Sequence, residues 1–300
     1  VIKEYILQVN GKEFTLGQKT RIMGVLNVTP DSFSDGGLHL DKDKAIERGL
    51  RLIEEGSDII DIGGESTKPG SEPIPAEEEI RRVIPVIKAL REKTETLISV
   101  DTTKSAVAQA ALDAGADIIN DISSLRFDSR MAPLAAERDV PVILMHMKGM
   151  PKTMQVNPYY ENVLLEVKSF LEERIDEAQA AGIKRERIII DPGIGFGKRL
   201  EDNLALINKL HVLGELDRPI LIGTSRKSFI GNILDLPPQE RLEGTIASSI
   251  LSMVHGAHIL RIHDVAAIKK AVLVAEAIMN ETNSTGSMSE KEEKKRSYAL

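Results

Sequence analysis

The chain of 300 residues has no cysteine and no tryptophan, and only 3% of it is aromatic. Without cysteine there can be no disulfide, no thiolate nucleophile and no cysteine-rich metal site. No apolar run approaches the ~20 residues that a membrane-spanning helix needs. The opening "VIKEYILQVNGKEF" lacks the apolar core of a signal peptide. No Gly-x-Ser-x-Gly marks a serine hydrolase, and no His-x-x-x-His or acidic triad marks a tight intrinsic metal site. Positive charge is in short supply as well. A net charge of −7 argues against a nucleic-acid backbone or an anionic membrane as partner, and leaves room only for local cationic pockets that hold small anions. The profile is that of a cytoplasmic protein, and at 42% hydrophobic residues it can bury a large core.

What is present is one pattern repeated. After "YILQVNGKEFTLG", which alternates around Asn10-Gly11 as a hairpin does, short β-branched runs alternate with amphipathic stretches. The runs are "RIMGVLNV", "SDIIDIGG", "TLISVDT", "ADIINDI", "PVILMHM", "RIIIDPG", "RPILIGTS" and "AHILRIHD". Each is apolar on both faces, as strands of a parallel sheet buried on both sides are. Helical stripes lie between them: Ile46, Leu50, Ile53; Ile80 to Leu90, after three glutamates that suit a helix start; a helix capped by Thr103; Val163 to Ile175; Leu204, Ile207 and Leu210 behind an Asp202-Asn203 cap; and Ile268 to Met279. Eight units in about 260 residues predict a (β/α)₈ TIM barrel with an N-terminal β-hairpin closing its base. A doubly wound sheet is the alternative, weakened because no Gly-x-Gly-x-x-Gly follows the first strand. Residues 1–280 read as one such domain, and 281–300 as a disordered polar tail. The loop "KGMPKTMQVNPYY" is either a lid or a crossover.

In a barrel the chemistry sits at the carboxyl ends of the strands. Those ends carry Asn27, Asp61, Asp101, Asn120 with Asp121, His146, Asp191, and Arg261 with His263. So many polar groups on one face are costly unless they meet each other or a ligand. Simpler readings compete at several positions. Asp191 and Asp264 can cap helices, Asp61 can be structural, and His146 between two methionines reads as packed. Asn120 and Asp121 cannot both point inward, because neighbours on a strand alternate faces. "TSRKSFIG" puts two cations and three hydroxyls where barrels bind phosphate. Arg261 and His263 share a face beside Asn27, which makes an anion pocket. "DPGIGFGK" offers glycines for close approach to a flat ligand. In "MGVLNVTPDSFSDGG", Asn27 ends a core strand and Phe33 stands alone among turn formers, as the tip of a lid or of a packed loop would.

These segments, with "DIGGESTKPG", "SVDT", "NDIS", "MHMKGMP", "DPGIGFGK", "GTSRKSFIG" and "RIHDV" in the same order, closely resemble the signature motifs of the dihydropteroate synthases, from about residue 20 to 280. The resemblance implies a (β/α)₈ barrel enzyme of folate synthesis. Such an enzyme joins 4-aminobenzoate to 6-hydroxymethyl-7,8-dihydropterin pyrophosphate with Mg²⁺, typically as a homodimer. It assigns the pterin to Asp101, Asn120, Asp191 and Lys227, with Ile122 and Met145 against its rings. It assigns the pyrophosphate to Asn27, Thr67, Arg261 and His263, and Mg²⁺ to Asn27 and Asp35. The aminobenzoate falls to Phe33, Thr67, Pro69, Phe196, Lys227 and Ser228, and catalysis to Asp101, Lys227 and Asn27. Arg241 and Thr245 match a further motif of structural role. Lys68 stands where many relatives carry Arg, keeping the charge but losing the bidentate fork. A methyltetrahydrofolate methyltransferase would share the Asp/Asn/Asp grip but would not need Asn27, Arg261, His263 and "TSRKS" for pyrophosphate. A non-catalytic barrel that binds pterin or phosphate would bind its ligand without turnover.

Overall fold

A computed structural model describes residues 2–29, 37–66 and 70–281. The expectations placed on Phe33, Asp35, Thr67, Lys68 and Pro69, and on the tail after Glu281, lie outside these residues.

The chain opens with β1 (Tyr5–Val9) and β2 (Lys12–Leu16), paired antiparallel around Asn10 and Gly11, both at positive φ (51° and 73°). Two left-handed central residues make the turn whose twist matches a two-residue hairpin. The repeating units follow: β3 (Arg21–Asn27), α1 (Gly37–Glu54), β4 (Ile59–Gly63), α2 (Ala76–Arg91), β5 (Leu97–Asp101), α3 (Ser105–Asp113), β6 (Ile118–Asp121), α4 (Met131–Arg138), β7 (Val142–Met145), α5 (Val163–Ala180), β8 (Ile188–Asp191), α6 (Leu200–Asn208), β9 (Leu221–Ile222), α7 (Ser228–Leu234), α8 (Leu242–Val254), β10 (Ile259–Ile262) and α9 (Val265–Asn280). Strands β3 to β10 form one parallel sheet in the order β8-β7-β6-β5-β4-β3-β10-β9. A parallel bridge from Ile190 to Ile220 then joins its two ends. The sheet therefore closes into a barrel, and the open-sheet alternative is excluded.

Closure sorts side chains by parity, since alternate residues of a strand face opposite ways. Outward residues such as Ile22, Leu26, Ile60, Ile62, Ile98 and Val100 pack under the helices in the larger core cluster. Inward residues at the strand starts (Met23, Ile59, Ile118, Ile143, Ile189, Leu221 and Ile259) form a second cluster with Leu7, Val9 and Leu16 of the hairpin. The hairpin thus plugs the amino-terminal end, as the sequence predicts. Each of its three buried side chains contributes roughly 1.5–3 kcal/mol by leaving water.

His258 fixes that plug. The Ile220 N–H donates to its Nδ1 (3.1 Å), so the ring proton sits on Nε2, which donates to the Lys3 carbonyl (3.0 Å). Burial holds its pKa below the usual histidine value. The unfolded chain therefore takes up a proton that the folded chain refuses. This contribution to stability is present above about pH 6.5 and is lost as the pH falls below it. The urea midpoint of the wild type is expected to drop more between pH 7.5 and 5.5 than that of His258→Gln, whose amide can accept and donate without titrating. Equal drops would contradict this role.

Several local expectations are corrected. Thr103 does not cap α3; the Ser105 N–H is taken by Asp128 Oδ2 (2.9 Å). Asp202 and Asn203 lie inside the first turn of α6. Asp202 accepts from the backbone N–H of Arg199 (3.0 Å), while Leu204 faces solvent. Helices α4, α7 and α8 gave no apolar stripe. In α8 the reason is visible: buried Ser248 and Ser252 bond back to the carbonyls of Gly244 and Ser248 (2.7 Å each), so polar letters stand at core positions.

Candidate active site

The parity that puts Met23 and Ile59 inside at the base puts polar residues inside at the top. Asn27, Asp61, Asp101, Asn120, Asp191 and Arg261 all fall on the inward register of their strands. Asp101, Asn120, Ile122, Met145, Asp191 and Lys227 line one cavity with Gly193, Ile194, Phe196, Gly223 and Arg261. All six positions expected to hold a pterin therefore meet in one place. Asp121 turns the other way, accepting from the N–H groups of Ser123 (2.7 Å) and Leu125 (3.0 Å).

Arg261 is the hub. Its Nε donates to Asp61 Oδ2 (2.7 Å), and its Nη2 reaches both Asp61 Oδ2 (2.6 Å) and Asp101 Oδ2 (2.7 Å). Burial works against the guanidinium charge, but the two carboxylates outweigh it and raise the Arg261 pKa. Burial also pushes the Asp101 carboxyl up to about 7; Arg261 opposes this and Asp61 reinforces it. Burial, with Asp61 beside it, thus holds the Asp101 carboxyl above the usual carboxylate range. Lys227 Nζ lies 4.2 Å from the centre of the Phe196 ring. Burial and then Arg261 bring its pKa down to about 8, against the pull of Asp191 and Asp101. Asp191 Oδ1 accepts from the Gly193 N–H (2.7 Å), and burial raises its pKa.

At the rim, the Ser225 hydroxyl oxygen accepts from the His263 backbone N–H (3.2 Å) and lies 3.0 Å from His263 Nδ1. With the hydroxyl donating to Nδ1, the ring proton lies on Nε2. Burial, then Arg261 and Lys227, lower the His263 pKa to about 4, so it is a neutral donor at physiological pH. The phosphate reading of "TSRKSFIG" is narrowed. Arg226 pairs with Asp264 (2.8 and 2.5 Å), which therefore does not cap α9 through its side chain. Thr224 bonds Ser249 in the core (3.1 Å), and Ser228 is exposed at the start of α7. Arg241 and Thr245 are structural as expected. Arg241 donates to the Arg226 carbonyl (3.1 Å), and Thr245 Oγ1 accepts from the Arg226 N–H (3.0 Å), which fixes the turn that carries Lys227.

The loop after β8 holds a residue to which the sequence reading gave no role. Lys198 is buried; its Nζ donates to the carbonyls of Gly193 (2.9 Å) and Phe196 (3.1 Å) and lies 2.9 Å from His146 Nδ1. Burial lowers its pKa to about 7. It clamps the segment that carries the Phe196 wall, while His146 itself is packed edge-on against Phe170 (4.8 Å). Two of the loop's glycines serve this packing rather than ligand approach: a Cβ at Gly193 or Gly197 would lie 2.0 Å from the His146 carbonyl oxygen or 2.3 Å from that of Lys148. The long segment after β7 docks on the same loop, through Gln155 to the Gly195 carbonyl (2.5 Å) and Tyr160 to the Gly197 carbonyl (2.8 Å). Its Met154 joins Ile122, Met145, Met147 and Phe196 in a small apolar cluster. The segment thus packs behind three residues that line the cavity, Ile122, Met145 and Phe196. A methionine in a loop was the only signal for it.

Residues 23–263 match the model of the pterin binding enzymes. The dihydropteroate synthase of Clostridium beijerinckii is 46% identical over 274 residues, covering 91% of this chain and 99% of that protein. The chain belongs to the dihydropteroate synthase family. Members are transferases, and this chain is an enzyme of that class. The structure of Xanthomonas albilineans dihydropteroate synthase with 4-aminobenzoic acid superposes with a TM-score of 0.87 at 47% identity, covering 92% of this chain and 99% of that one. The Xanthomonas enzyme in complex with 7,8-dihydropteroate gives 0.83 at 45% identity, with 91% and 98% coverage. Among the described residues no helix is long and apolar enough to cross a membrane.

Proposed function

We propose that this enzyme condenses 6-hydroxymethyl-7,8-dihydropterin pyrophosphate with 4-aminobenzoate, in the cytoplasm, to give 7,8-dihydropteroate and pyrophosphate. The observation that carries the proposal is the meeting of Asp101, Asn120, Asp191 and Lys227 in one cavity beside Arg261. The product-bound relative supports it. The pterin's pyrimidine edge presents an N–H and an amino group side by side, a donor fork that the Asp191 carboxylate accepts. Asn120 gives one Nδ2 hydrogen to Asp61 (3.1 Å), leaving Oδ1 and one hydrogen for a ring N–H and a ring nitrogen. Lys227 donates to the pterin carbonyl, and Ile122 and Met145 lie against the rings.

The bond that breaks joins the pterin methylene carbon to a pyrophosphate oxygen, and its electron pair leaves with the oxygen. The adjacent ring nitrogen delocalises the cation that remains, so the path is dissociative. Arg261, the Nε2–H of His263, Asn27 and Thr67 receive the departing anion, and Asp101 stabilises the cationic half. The amine of 4-aminobenzoate is neutral at pH 7. It attacks with its lone pair and then loses a proton to solvent, so no general base is required. Phe196 and the stem of Lys227 wall the aminobenzoate, with Ser228 at the rim; Phe33, Thr67 and Pro69 complete the set of residues proposed for it.

Asn27 ends β3 half-buried and offers a hard amide oxygen, a donor that suits Mg²⁺ shared with phosphate oxygens. Among the described residues no group of three or more His, Asp or Glu side chains could hold a metal alone, so Asn27, with Asp35, would hold it together with the ligand. Bound there, Mg²⁺ would offset the charge of the pyrophosphate. The family's homodimer is the proposed assembly. Leu251 and Val254 on α8, with Leu273, Val274 and Ile278 on the adjoining α9, leave apolar side chains exposed for a second copy to cover.

Mixing the protein with Mg²⁺, 4-aminobenzoate and the pterin pyrophosphate is expected to release pyrophosphate in step with dihydropteroate. Absence of release with both substrates present would refute the proposal.

A further inference from the structure

We infer that Asp61 is a positioning residue of this site, which orients the Asn120 amide and anchors the Arg261 guanidinium so that both meet the pterin ligand. The inference rests on the pterin reading given above and deepens it.

Asp61 sits on the inward register of β4 and is wholly buried. One oxygen, Oδ2, does all its visible work. It accepts from Nε and Nη2 of Arg261 on β10 and from Nδ2 of Asn120 on β6. In the sheet order, β6 and β10 lie two places away on opposite sides of β4. A single atom therefore ties together the two flanks of the cavity across the barrel interior. Among the described residues the other oxygen, Oδ1, is buried without a hydrogen-bond partner, as is Ser99 Oγ on the register-paired residue of β5. A carboxylate kept only for stability would be expected to satisfy both oxygens, since an orphaned buried acceptor is destabilising. This one is committed to the two side chains that reach the cavity.

The consequence for Asn120 is an amide with a fixed sense. Its nitrogen and oxygen are nearly the same shape, and only partners decide which faces the ligand. Because Nδ2 is given to Asp61, Oδ1 is turned toward the cavity. Without Asp61 the amide can rotate by half a turn and present a donor where the ligand presents a donor. The consequence for Arg261 is a permanent counter-charge. Nη2 is shared between Asp61 and Asp101, so Asp101 can turn to the ligand while Arg261 keeps a partner. Without Asp61, Arg261 falls to Asp101 alone.

The charged groups acting on Asp101 are Arg261, Asp61, Glu79 and Asp121, with Lys227 in the same cavity. Asp61 is one of those that raise the Asp101 pKa, so its neutralisation lowers that value.

Two variants separate geometry from charge. Asp61→Ser removes the charge and draws the remaining acceptor back by one bond, away from Asn120 and Arg261. Asp61→Asn can leave an oxygen at the Oδ2 position and a nitrogen at the unused one, keeping the geometry and losing the charge. With melting curves confirming folded protein, Asp61→Ser is expected to lower kcat/KM for the pterin pyrophosphate about 100-fold, with KM for 4-aminobenzoate within about twofold. Asp61→Asn should recover roughly a factor of ten of that loss. In both variants the acidic limb of the pH–rate profile should move to lower pH. Equal impairment of the two variants with an unmoved acidic limb, or an aminobenzoate KM that rises as far as the pterin KM, would overturn the inference. If Asp61→Ser fails to fold, the wild type decides. One side-chain amide proton of Asn120, identified by its loss in Asn120→Ser, should be protected from exchange in the free protein. Rapid exchange of both protons would overturn the inference. Turnover by the wild type, run alongside, reports on the synthase reading separately, because amide protection in the free protein needs no turnover.

Discussion

Asp191→Asn is expected to weaken pterin binding by about 10²–10³-fold, while leaving the protein at least as stable as the wild type. The two effects have one cause. Asp191 is buried, and burial raises its pKa, so its charge opposes folding at neutral pH. A carboxyl whose pKa is raised in the folded state favours folding at low pH, and that contribution is lost as the pH rises from about 4 toward the folded value. The amide removes this cost, and its oxygen can keep the bond from the Gly193 N–H now made by Oδ1 (2.7 Å). The other atom becomes an NH₂ group that faces the donor fork of the pterin edge. Two charge-assisted hydrogen bonds are replaced by a donor opposed to donors. Titration calorimetry with the pterin, beside urea unfolding at pH 7.5, checks both halves. Pterin affinity within threefold of wild type would remove Asp191 from the site.

Arg261→Ala is expected to destabilise the fold by about 3–5 kcal/mol at pH 8, because it strands Asp61 and Asp101 as buried carboxylates without a cation. The sign of the pH dependence is distinctive. Arg261 is the charge that holds the Asp101 pKa down against burial. In the variant that pKa rises further above its unfolded value. The contribution of this carboxyl to stability is then greatest below about pH 4 and is lost as the pH rises through the elevated folded value. Unfolding midpoints between pH 5 and 8 should therefore diverge from those of the wild type toward the alkaline end. Binding should follow the same residue. Affinity for the pterin pyrophosphate should fall by at least tenfold more than affinity for the unphosphorylated pterin, since a charge-assisted contact to the leaving group is lost only with the former. Parallel pH curves, or equal losses for the two ligands, would contradict the role given to Arg261.

Much of the barrel and of its mouth was legible because each strand is a β-branched run broken by a polar residue at its carboxyl end. Parity then fixes which of two neighbours turns inward. Asn120 and Asp121 could be told apart only as a pair, and the structure sends Asn120 to Asp61 and Asp121 to the N–H groups of Ser123 and Leu125. What stayed hidden is whatever depends on closure. Asp264 precedes a helix as a cap would, yet its carboxylate meets Arg226, 38 residues away, because β9 and β10 lie side by side. Lys198 reads as an ordinary loop cation until the fold puts carbonyls and His146 around its ammonium. Helix α8 was missed because serines that bond to their own helix occupy buried positions.

The central claim is that the barrel mouth recognises a pterin by its donor edge. The most direct measurement is a calorimetric titration of the wild-type protein with 6-hydroxymethylpterin and with its analogue lacking the 2-amino group. The account predicts binding of the first and a loss of about 100-fold or more for the second, whose absent donor leaves the Asp191 carboxylate unpaired. Equal affinities for the two, or no binding of the pterin, would contradict it.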